Sequence, residues 1–211
     1  MFGSCPANCE RSMTSASELK RQRILQAATE LFGVHGYGAS MDSISKLADV
    51  SKQTIYSHFK TKDLLFETCM RNKCLEYQAN EAVLDLSLPI EEALVKFGMG
   101  FHQTLLNPGA QQTYRNAVSN IDTHPEFTAT YLEYGPIQTT KMLEQYLDKK
   151  VEDGTIQLDI SSHQSAIQLL LMFHGKAVYW RYLGENIEES HEQKHQYIKS
   201  CVDLFLSHTL K

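Results

Sequence analysis

The chain has 211 residues, of which 42% are hydrophobic and 21% charged, and its formal net charge is −5. This length can bury one or two hydrophobic cores. The longest unbroken apolar runs are about five residues, as at 169–173, which excludes a helix of about 20 apolar residues that spans a membrane. Because the first residues also lack the apolar core of a signal peptide, we expect a cytoplasmic protein.

The chain divides into three predicted parts. Residues 1–13 are interpreted as a flexible leader or tag, with Met13 as a possible native start. Residues 14–62 form a predicted DNA-binding head, and residues 63–211 form a predicted ligand-binding and dimerisation body. The odd number of cysteines argues against a disulfide framework. Cys5 and Cys9 could bind a metal or oxidise, but a flexible leader is the preferred interpretation.

The head begins with a predicted amphipathic helix over residues 17–33, followed by glycines at positions 33, 36 and 38 that should end it. Basic side chains lead its first turns. Apolar residues recur at helical spacing on one face, which we expect to point inward: Leu19, Ile24, Ala27, Ala28, Leu31 and Phe32.

Two short helices joined by a tight turn follow, and they contain the most informative pattern in the chain. Ser40 and Ser51 are placed to cap the two helices, and Asp49 with Val50 forms the turn between them. The expected inward residues are Met41, Ile44, Leu47 and Ala48 on the first helix and Ile55 and Phe59 on the second. This layout is that of a helix-turn-helix, whose second helix enters the DNA major groove.

The distribution of charge fits this interpretation. Residues 13–62 carry seven basic and four acidic side chains, whereas residues 63–211 carry twelve basic and twenty acidic ones. A basic head on an acidic body suggests that only the head approaches phosphate.

The outward face of the second short helix carries the candidate DNA-binding residues. Lys52 and Gln53, at the helix start, suit guanine and adenine edges respectively. Thr54, Tyr56 and His58 are better placed for phosphates. Lys62 also suits phosphate, because it lies at the start of the next helix, where free backbone amides attract anions. The complete predicted set is Lys46, Lys52, Gln53, Thr54, Tyr56, Ser57, His58 and Lys62. The competing interpretation is an ordinary solvated polar face.

Helical periodicity continues through the body, so the predicted fold is all-α with about nine helices. Thr61 should cap a helix that runs to about residue 84. The further predicted helices cover residues 89–106, 110–121, 124–152, 161–183 and 189–209, and Gly135-Pro136 should kink or split the third of these.

A literal H-E-x-x-H segment, His191 to His195, gives the main enzymatic alternative, a zinc metallopeptidase with Glu192 as its catalytic base. The surrounding EESHEQKHQ is polar on all sides, whereas such a helix needs an apolar face to hold it rigid. A solvated helix start is the simpler interpretation. No other catalytic motif stands out, and we expect no enzyme activity, no metal and no cofactor.

Aromatic residues recur in the body and form a candidate small-molecule site. Individually each is expected to pack in the core, but together they could line an apolar pocket with a few polar groups. The predicted ligand-binding set is Phe97, Phe101, Tyr114, Tyr131, Phe173 and His174.

The chain resembles the TetR/AcrR family of transcriptional regulators in RQRILQAATELFGVHGYGAS and in MDSISKLADVSKQTIYSHFKTKDLLF. Two positions depart from the family pattern, which usually has glycine where Asp49 stands and alanine where Ser45 stands. Aspartate tolerates the left-handed conformation of such a turn better than most residues, and serine is nearly as small as alanine.

The resemblance implies an all-helical homodimer with a ligand pocket in the body, whose occupation moves the heads apart. It favours a dimer interface over internal packing for two apolar stripes in the last helices, namely Ile167, Leu170, Leu171 and Val178, and Tyr197, Cys201, Leu204 and Phe205. The expected function is a repressor of a near-palindromic operator in double-stranded DNA, released by a mainly apolar small-molecule effector. A helical interaction module without DNA binding is the second alternative.

Overall fold

The computed structural model describes residues 15–80 and 84–209. The predicted leader, with Cys5 and Cys9, lies outside the described residues. Within them, no helix combines the length and apolar character needed to cross a membrane.

The described residues form ten α-helices, two of which are joined end to end. A π turn, Glu133–Ile137, connects the seventh helix to the eighth at the predicted Gly135-Pro136 break, and counting these two as one gives nine helices in the described residues. The all-α prediction is therefore confirmed. In chain order the helices are α1 Ala16–His35, α2 Met41–Ala48, α3 Lys52–Phe59, α4 Lys62–Asn80, α5 Ile90–Leu106, α6 Pro108–Ser119, α7 Pro125–Leu132, α8 Gln138–Glu152, α9 Ser162–Tyr182 and α10 His191–Leu206.

Serine caps begin both short helices of the head, as predicted. The Ser40 hydroxyl accepts a hydrogen bond from the Ser43 amide at 3.0 Å, and that of Ser51 accepts one from the Thr54 amide at 3.1 Å. Asp49 ends α2 with φ 52° and ψ 53°, the left-handed conformation expected of the turn. These local signals fix where α3 starts, because satisfied end groups stabilise a helix terminus.

Three details of the head differ from the sequence expectation. Gly33 does not end α1, which continues to His35 before a short 3-10 turn at Gly36–Gly38. Leu19 and Leu47, expected to point inward, are 51% and 49% exposed. Helical spacing identifies a face, but the edges of that face stay uncovered where the neighbouring helix crosses at an angle.

Two large apolar clusters and a small third one, formed by Leu106, Ala177 and Val178, hold the described residues together. The head cluster joins α1, α2 and α3 to the first half of α4, through Leu65 and Phe66, and also takes in Ala117 of α6 and Phe127 of α7. The body cluster is larger and joins α5, α8, α9 and α10. The head cluster therefore extends beyond residue 62, the boundary predicted from the sequence, and reaches into the body.

α9 is broken at Gly175, which has φ 60° and ψ 178°. Two carbonyls just before the break accept side-chain hydrogen bonds from other helices. His102 Nδ1 on α5 donates to the Phe173 carbonyl and the Tyr197 hydroxyl on α10 donates to the Met172 carbonyl, each at 2.8 Å. Glycine is needed here because a Cβ would lie 2.8 Å from the Tyr197 ring, in a conformation that other residues avoid.

Candidate DNA-binding surface and effector region

The outward face of α3 carries the predicted DNA-binding side chains at the surface. Ile55 and Phe59 on the opposite face are 0% and 3% exposed and anchor the helix in the head cluster. The predicted residues of this face are exposed or half-exposed: Lys52, Gln53, Thr54, Tyr56, Ser57 and His58. The fold therefore presents one continuous row of donors and acceptors.

Hydrogen bonds within the helix-turn-helix orient several of these groups. The Lys52 ammonium lies 2.7 Å from a carboxylate oxygen of Asp42 on α2. The hydroxyls of Ser51 and Thr54 lie 2.9 Å apart, and the Ser57 hydroxyl donates to the Thr54 carbonyl at 2.8 Å. Lys52 must exchange part of its contact with Asp42 for any contact with a base.

The start of α4 lies next to this face and carries Lys62. The Thr61 hydroxyl caps the helix, accepting from the Leu64 amide at 3.1 Å. The Lys62 ammonium lies 4.3 Å from the centre of the Tyr37 ring, and the Tyr37 hydroxyl donates to Asp63. Partial burial lowers the pKa of Lys62, an effect that the Asp63 carboxylate opposes. The ring thus fixes a cation at a helix N-terminus, where phosphate binds favourably.

Two arginines of α1, predicted only as part of the basic charge of the head, contact the turn and α3. Arg23 Nη2 donates to the Asp49 carbonyl at 2.6 Å. The Arg21 guanidinium lies 5.2 Å from the centre of the Phe59 ring. The sequence around Arg21 and Arg23 could not predict these contacts, because Phe59 and Asp49 lie more than twenty-five residues further along the chain.

Lys60 connects α3 to α4 in an unusual backbone conformation, with φ 58° and ψ −53°. The Thr61 amide donates to the Phe59 carbonyl across it at 2.5 Å, which closes a three-residue turn. Lys60 is exposed, and so is Lys46 on α2. The tight turn sets the angle at which α4 leaves the DNA-facing side of the head.

The six aromatic residues predicted to bind a ligand fall into two groups. Phe97, Phe101 and Phe173 belong to the body cluster, and His174 meets Phe101 edge to face at 5.7 Å. Tyr114 stacks on Tyr182 at 4.1 Å and lies 6.3 Å from Tyr131. The assignment of a ligand to these residues remains a prediction.

His174 is the most polar member of the first group. Its Nδ1 donates to the Leu170 carbonyl at 2.8 Å. Burial lowers the pKa of His174 below its usual 6.5, the hydrogen bond to Leu170 raises it, and the neighbouring His102 lowers it further. His174 is therefore a neutral hydrogen-bonding group at pH 7.

The residues predicted for the dimer interface divide by exposure. Leu170, Val178, Cys201 and Phe205 are buried within the chain itself. The others are exposed: Ile167, Leu171, Tyr197 and Leu204. Tyr179 in the second half of α9 and Leu183 just after its end are also exposed, at 61% and 68%, so a partner chain would find further apolar surface next to this strip.

The H-E-x-x-H segment forms the first turns of α10. Ser190 and Gln193 make a reciprocal capping box there, and His191 and Glu192 are exposed. No group of three His, Cys, Asp or Glu residues that could hold a metal ion occurs within residues 15–80 and 84–209. The segment lines an open groove of about 630 Å³ between α5 and α10.

Two family models match separate parts of the chain. The model described as "Bacterial regulatory proteins, tetR family" matches residues 24–69, and the model described as "AefR-like transcriptional repressor, C-terminal domain" matches residues 92–208. The first match covers the helix-turn-helix and the second covers most of the body.

Similar proteins carry related descriptions. The uncharacterized HTH-type transcriptional regulator YhgD of Bacillus subtilis is 30% identical over 64% of this chain and 69% of that protein. IcaR of Staphylococcus aureus, the HTH-type negative transcriptional regulator of the biofilm operon icaADBC, is 26% identical over 88% of this chain and 98% of its own length. Among solved structures, the flavonoid-responsive regulator FrrA is 27% identical with a TM-score of 0.82, over 90% of this chain and 97% of that one.

Proposed function

Because the chain belongs to the TetR family of bacterial transcriptional regulators, we propose that it is a dimeric repressor of a near-palindromic operator, released by a mainly apolar small molecule. Members of this family are DNA-binding regulators rather than enzymes. The zinc metallopeptidase alternative has no third ligand among the described residues.

The proposal that the protein binds DNA rests on the outward face of α3. Ser40 caps α2 and Ser51 caps α3, and Arg23 donates a hydrogen bond to the turn between these helices. Gln53, at the helix start, offers the amide pair that suits adenine, while Lys52 offers a cation for guanine. Lys62 and its Tyr37 ring supply a phosphate contact that does not depend on sequence. Base contacts and phosphate contacts thus lie on one side of the head.

The proposal of a homodimer rests on the exposed strip of α9 and α10. Ile167, Leu171 and Leu204 are 38%, 64% and 58% exposed in the single chain. An apolar surface of this kind is favourably covered by a second copy. A two-fold dimer presents α3 twice, and the operator should therefore be a near-palindrome with half-sites about one helical turn apart.

The proposal of an effector rests on the aromatic residues of the body and on one similar protein. FrrA is described as flavonoid-responsive, and flavonoids are therefore the first chemical class to test. An effector can release DNA only if it binds the DNA-incompetent state more tightly than the competent one.

A gel-shift assay against DNA flanking the protein's own gene, at a stated salt concentration, tests the repressor. We expect sequence-specific binding by a dimer, which Gln53→Ala weakens on the native site more than on a scrambled one. Zinc-dependent peptidase activity that is lost in Glu192→Gln, without DNA binding, would overturn the proposal.

The effector needs a separate experiment. A thermal-shift screen of flavonoids and other aromatic compounds, followed by a gel shift with each hit, should yield compounds that raise the melting temperature and release DNA. Hits that raise the melting temperature but leave DNA affinity unchanged would refute the release mechanism while leaving the repressor intact.

A further inference from the structure

A cavity of about 310 Å³ lies where the head meets the body, between α1, α4 and α6. Its lining is distinct from the six aromatic residues considered above. The buried apolar part of its wall comes from Phe32, Cys69, Met70 and Phe127, all of them less than 10% exposed, and Val34, which is 64% exposed, lines its open side. A dry cavity of about 150 Å³ is known to accept a benzene molecule, so this one has room for a two-ring molecule.

Gly33 lines this cavity. It lies inside α1, where glycine costs about 0.5–1 kcal/mol relative to alanine. Neither a turn nor a close neighbour requires glycine, because a Cβ at this position would meet nothing within 4 Å. A larger side chain at Gly33, which lines the cavity, would fill the space that a ligand needs.

Lys73 and Asn116 of the lining are engaged within the protein, and the Glu30 carboxylate of the lining is exposed to solvent, which together favour an uncharged ligand. The Lys73 ammonium lies 3.0 Å from a carboxylate oxygen of Glu76. The Asn116 amide donates to the Gly33 carbonyl at 3.0 Å and its oxygen accepts from Gln112 at 3.1 Å. A charged ligand would lose hydration here for little return, whereas aromatic rings and sulfur atoms in the wall attract another aromatic ring.

The same wall connects the head to the body. Asn116 on α6 is 8% exposed and bonds the Phe32 and Gly33 carbonyls, at the end of α1. Phe127 on α7 meets Phe66 on α4 edge to face at 4.7 Å. A molecule in the cavity therefore touches helices on both sides of the junction.

We propose that this cavity is a second small-molecule site, which binds an uncharged aromatic compound of about two rings and fixes the head relative to the body. It is independent of the effector site in the body. A ligand that fits the cavity in one arrangement of the head shifts the population toward that arrangement.

The test uses 1-naphthol, an uncharged two-ring probe, with the full-length protein. Met70 lines the cavity, and Met172 packs against the body cluster. In ¹³C-methyl methionine NMR spectra, 1-naphthol should shift the Met70 signal and leave the Met172 signal in place. Gly33→Leu should weaken binding at least about tenfold. Gly38→Leu is the matched control, because a Cβ there also meets nothing within 4 Å but lies outside the cavity lining.

Gly33→Ala is a milder variant that keeps the proposal testable if Gly33→Leu does not fold. Gly33→Ala adds one methyl group and favours the helix, so it should keep the fold and weaken binding by less than Gly33→Leu. In a gel shift, 1-naphthol and Gly33→Leu should change DNA affinity in the same direction, and 1-naphthol should add nothing to the variant. Met70 shifts that persist unchanged in Gly33→Leu, or no shift at Met70 at all, would overturn the proposal, and neither result depends on DNA binding.

Discussion

The head and the body of this protein use their side chains in opposite ways. In the head, the small apolar cluster lies behind α3, and the candidate DNA-binding residues face outward. In the body, the candidate ligand-binding residues Phe97 and Phe173 are themselves 0% exposed members of the core. A residue of the head can therefore lose its function without loss of stability, whereas these residues of the body cannot.

The largest expected effect is on the body. Phe173→Ala should lower the free energy of unfolding by about 3–5 kcal/mol, because it removes a fully buried ring and leaves a cavity. Urea unfolding measures this. Gln53→Ala in the exposed face of α3 is the control and should change stability by less than about 0.5 kcal/mol. Equal losses in the two variants would contradict the contrast between the regions.

The next effect is on base recognition by the head. Gln53→Ala and Lys52→Ala should each cost about 1–3 kcal/mol on the native operator and relax base preference. Asp42→Asn should strengthen binding to all DNA, because Lys52 no longer shares its charge with a carboxylate 2.7 Å away. Titrations with native and scrambled DNA separate the two results. A variant that loses affinity for both sequences equally has lost only a phosphate contact.

Lys62 should contribute affinity without base preference. Lys62→Ala should weaken binding to every sequence and reduce the slope of log K against log salt by about one. Tyr37→Phe keeps the ring below the ammonium and serves as the control, which should leave the slope unchanged. An unaltered slope in Lys62→Ala would show that this cation does not reach phosphate.

Relief of backbone strain should stabilise the head. Lys60 has φ 58°, so Lys60→Gly should raise the free energy of unfolding by about 1 kcal/mol. Lys60→Gln removes the charge but keeps the strain, and thermal unfolding of the two variants separates these contributions. A Lys60→Gly protein less stable than Lys60→Gln would mean that the turn is not strained.

The smallest expected effect is the pH dependence of the body. The pKa of His174 lies below its ordinary 6.5 in the fold, so the unfolded chain binds this proton more readily. Stability is thus lost as the pH falls below about 6.5. His174→Gln should make the decline of the free energy of unfolding between pH 6.5 and 5 shallower. An identical decline in both proteins would assign the acid sensitivity to another group.

Local signals in the sequence predicted the head well. Ser40, Ser51 and Asp49 each act on residues two to four positions away, and their geometry is the expected one. Leu47 was predicted to be buried and is exposed, since its neighbours on the other helices are not encoded in the periodicity. Gly33 was read as a helix end, although glycine is tolerated when the backbone hydrogen bonds continue around it.

Long-range contacts explain what could not be predicted. The break at Gly175 coincides with hydrogen bonds from His102 and Tyr197, which lie 71 and 25 residues away from their acceptor carbonyls. The residues next to Gly175 in the sequence do not predict this break. The sequence also cannot distinguish a ligand-binding role of Phe97 and Phe173 from core packing, because the same residue types line pockets and fill cores.

The break at Gly175 also resets the angular register of α9. Seven residues after Leu171, an unbroken helix would return Val178 to the same side, since seven residues make almost two turns. Instead Val178 is 0% exposed, and Tyr179, the next residue, is 61% exposed. The outward strip thus advances by one position at the break. A partner that covers the whole strip therefore contacts both halves of α9, Ile167 and Leu171 before the break and Tyr179 after it.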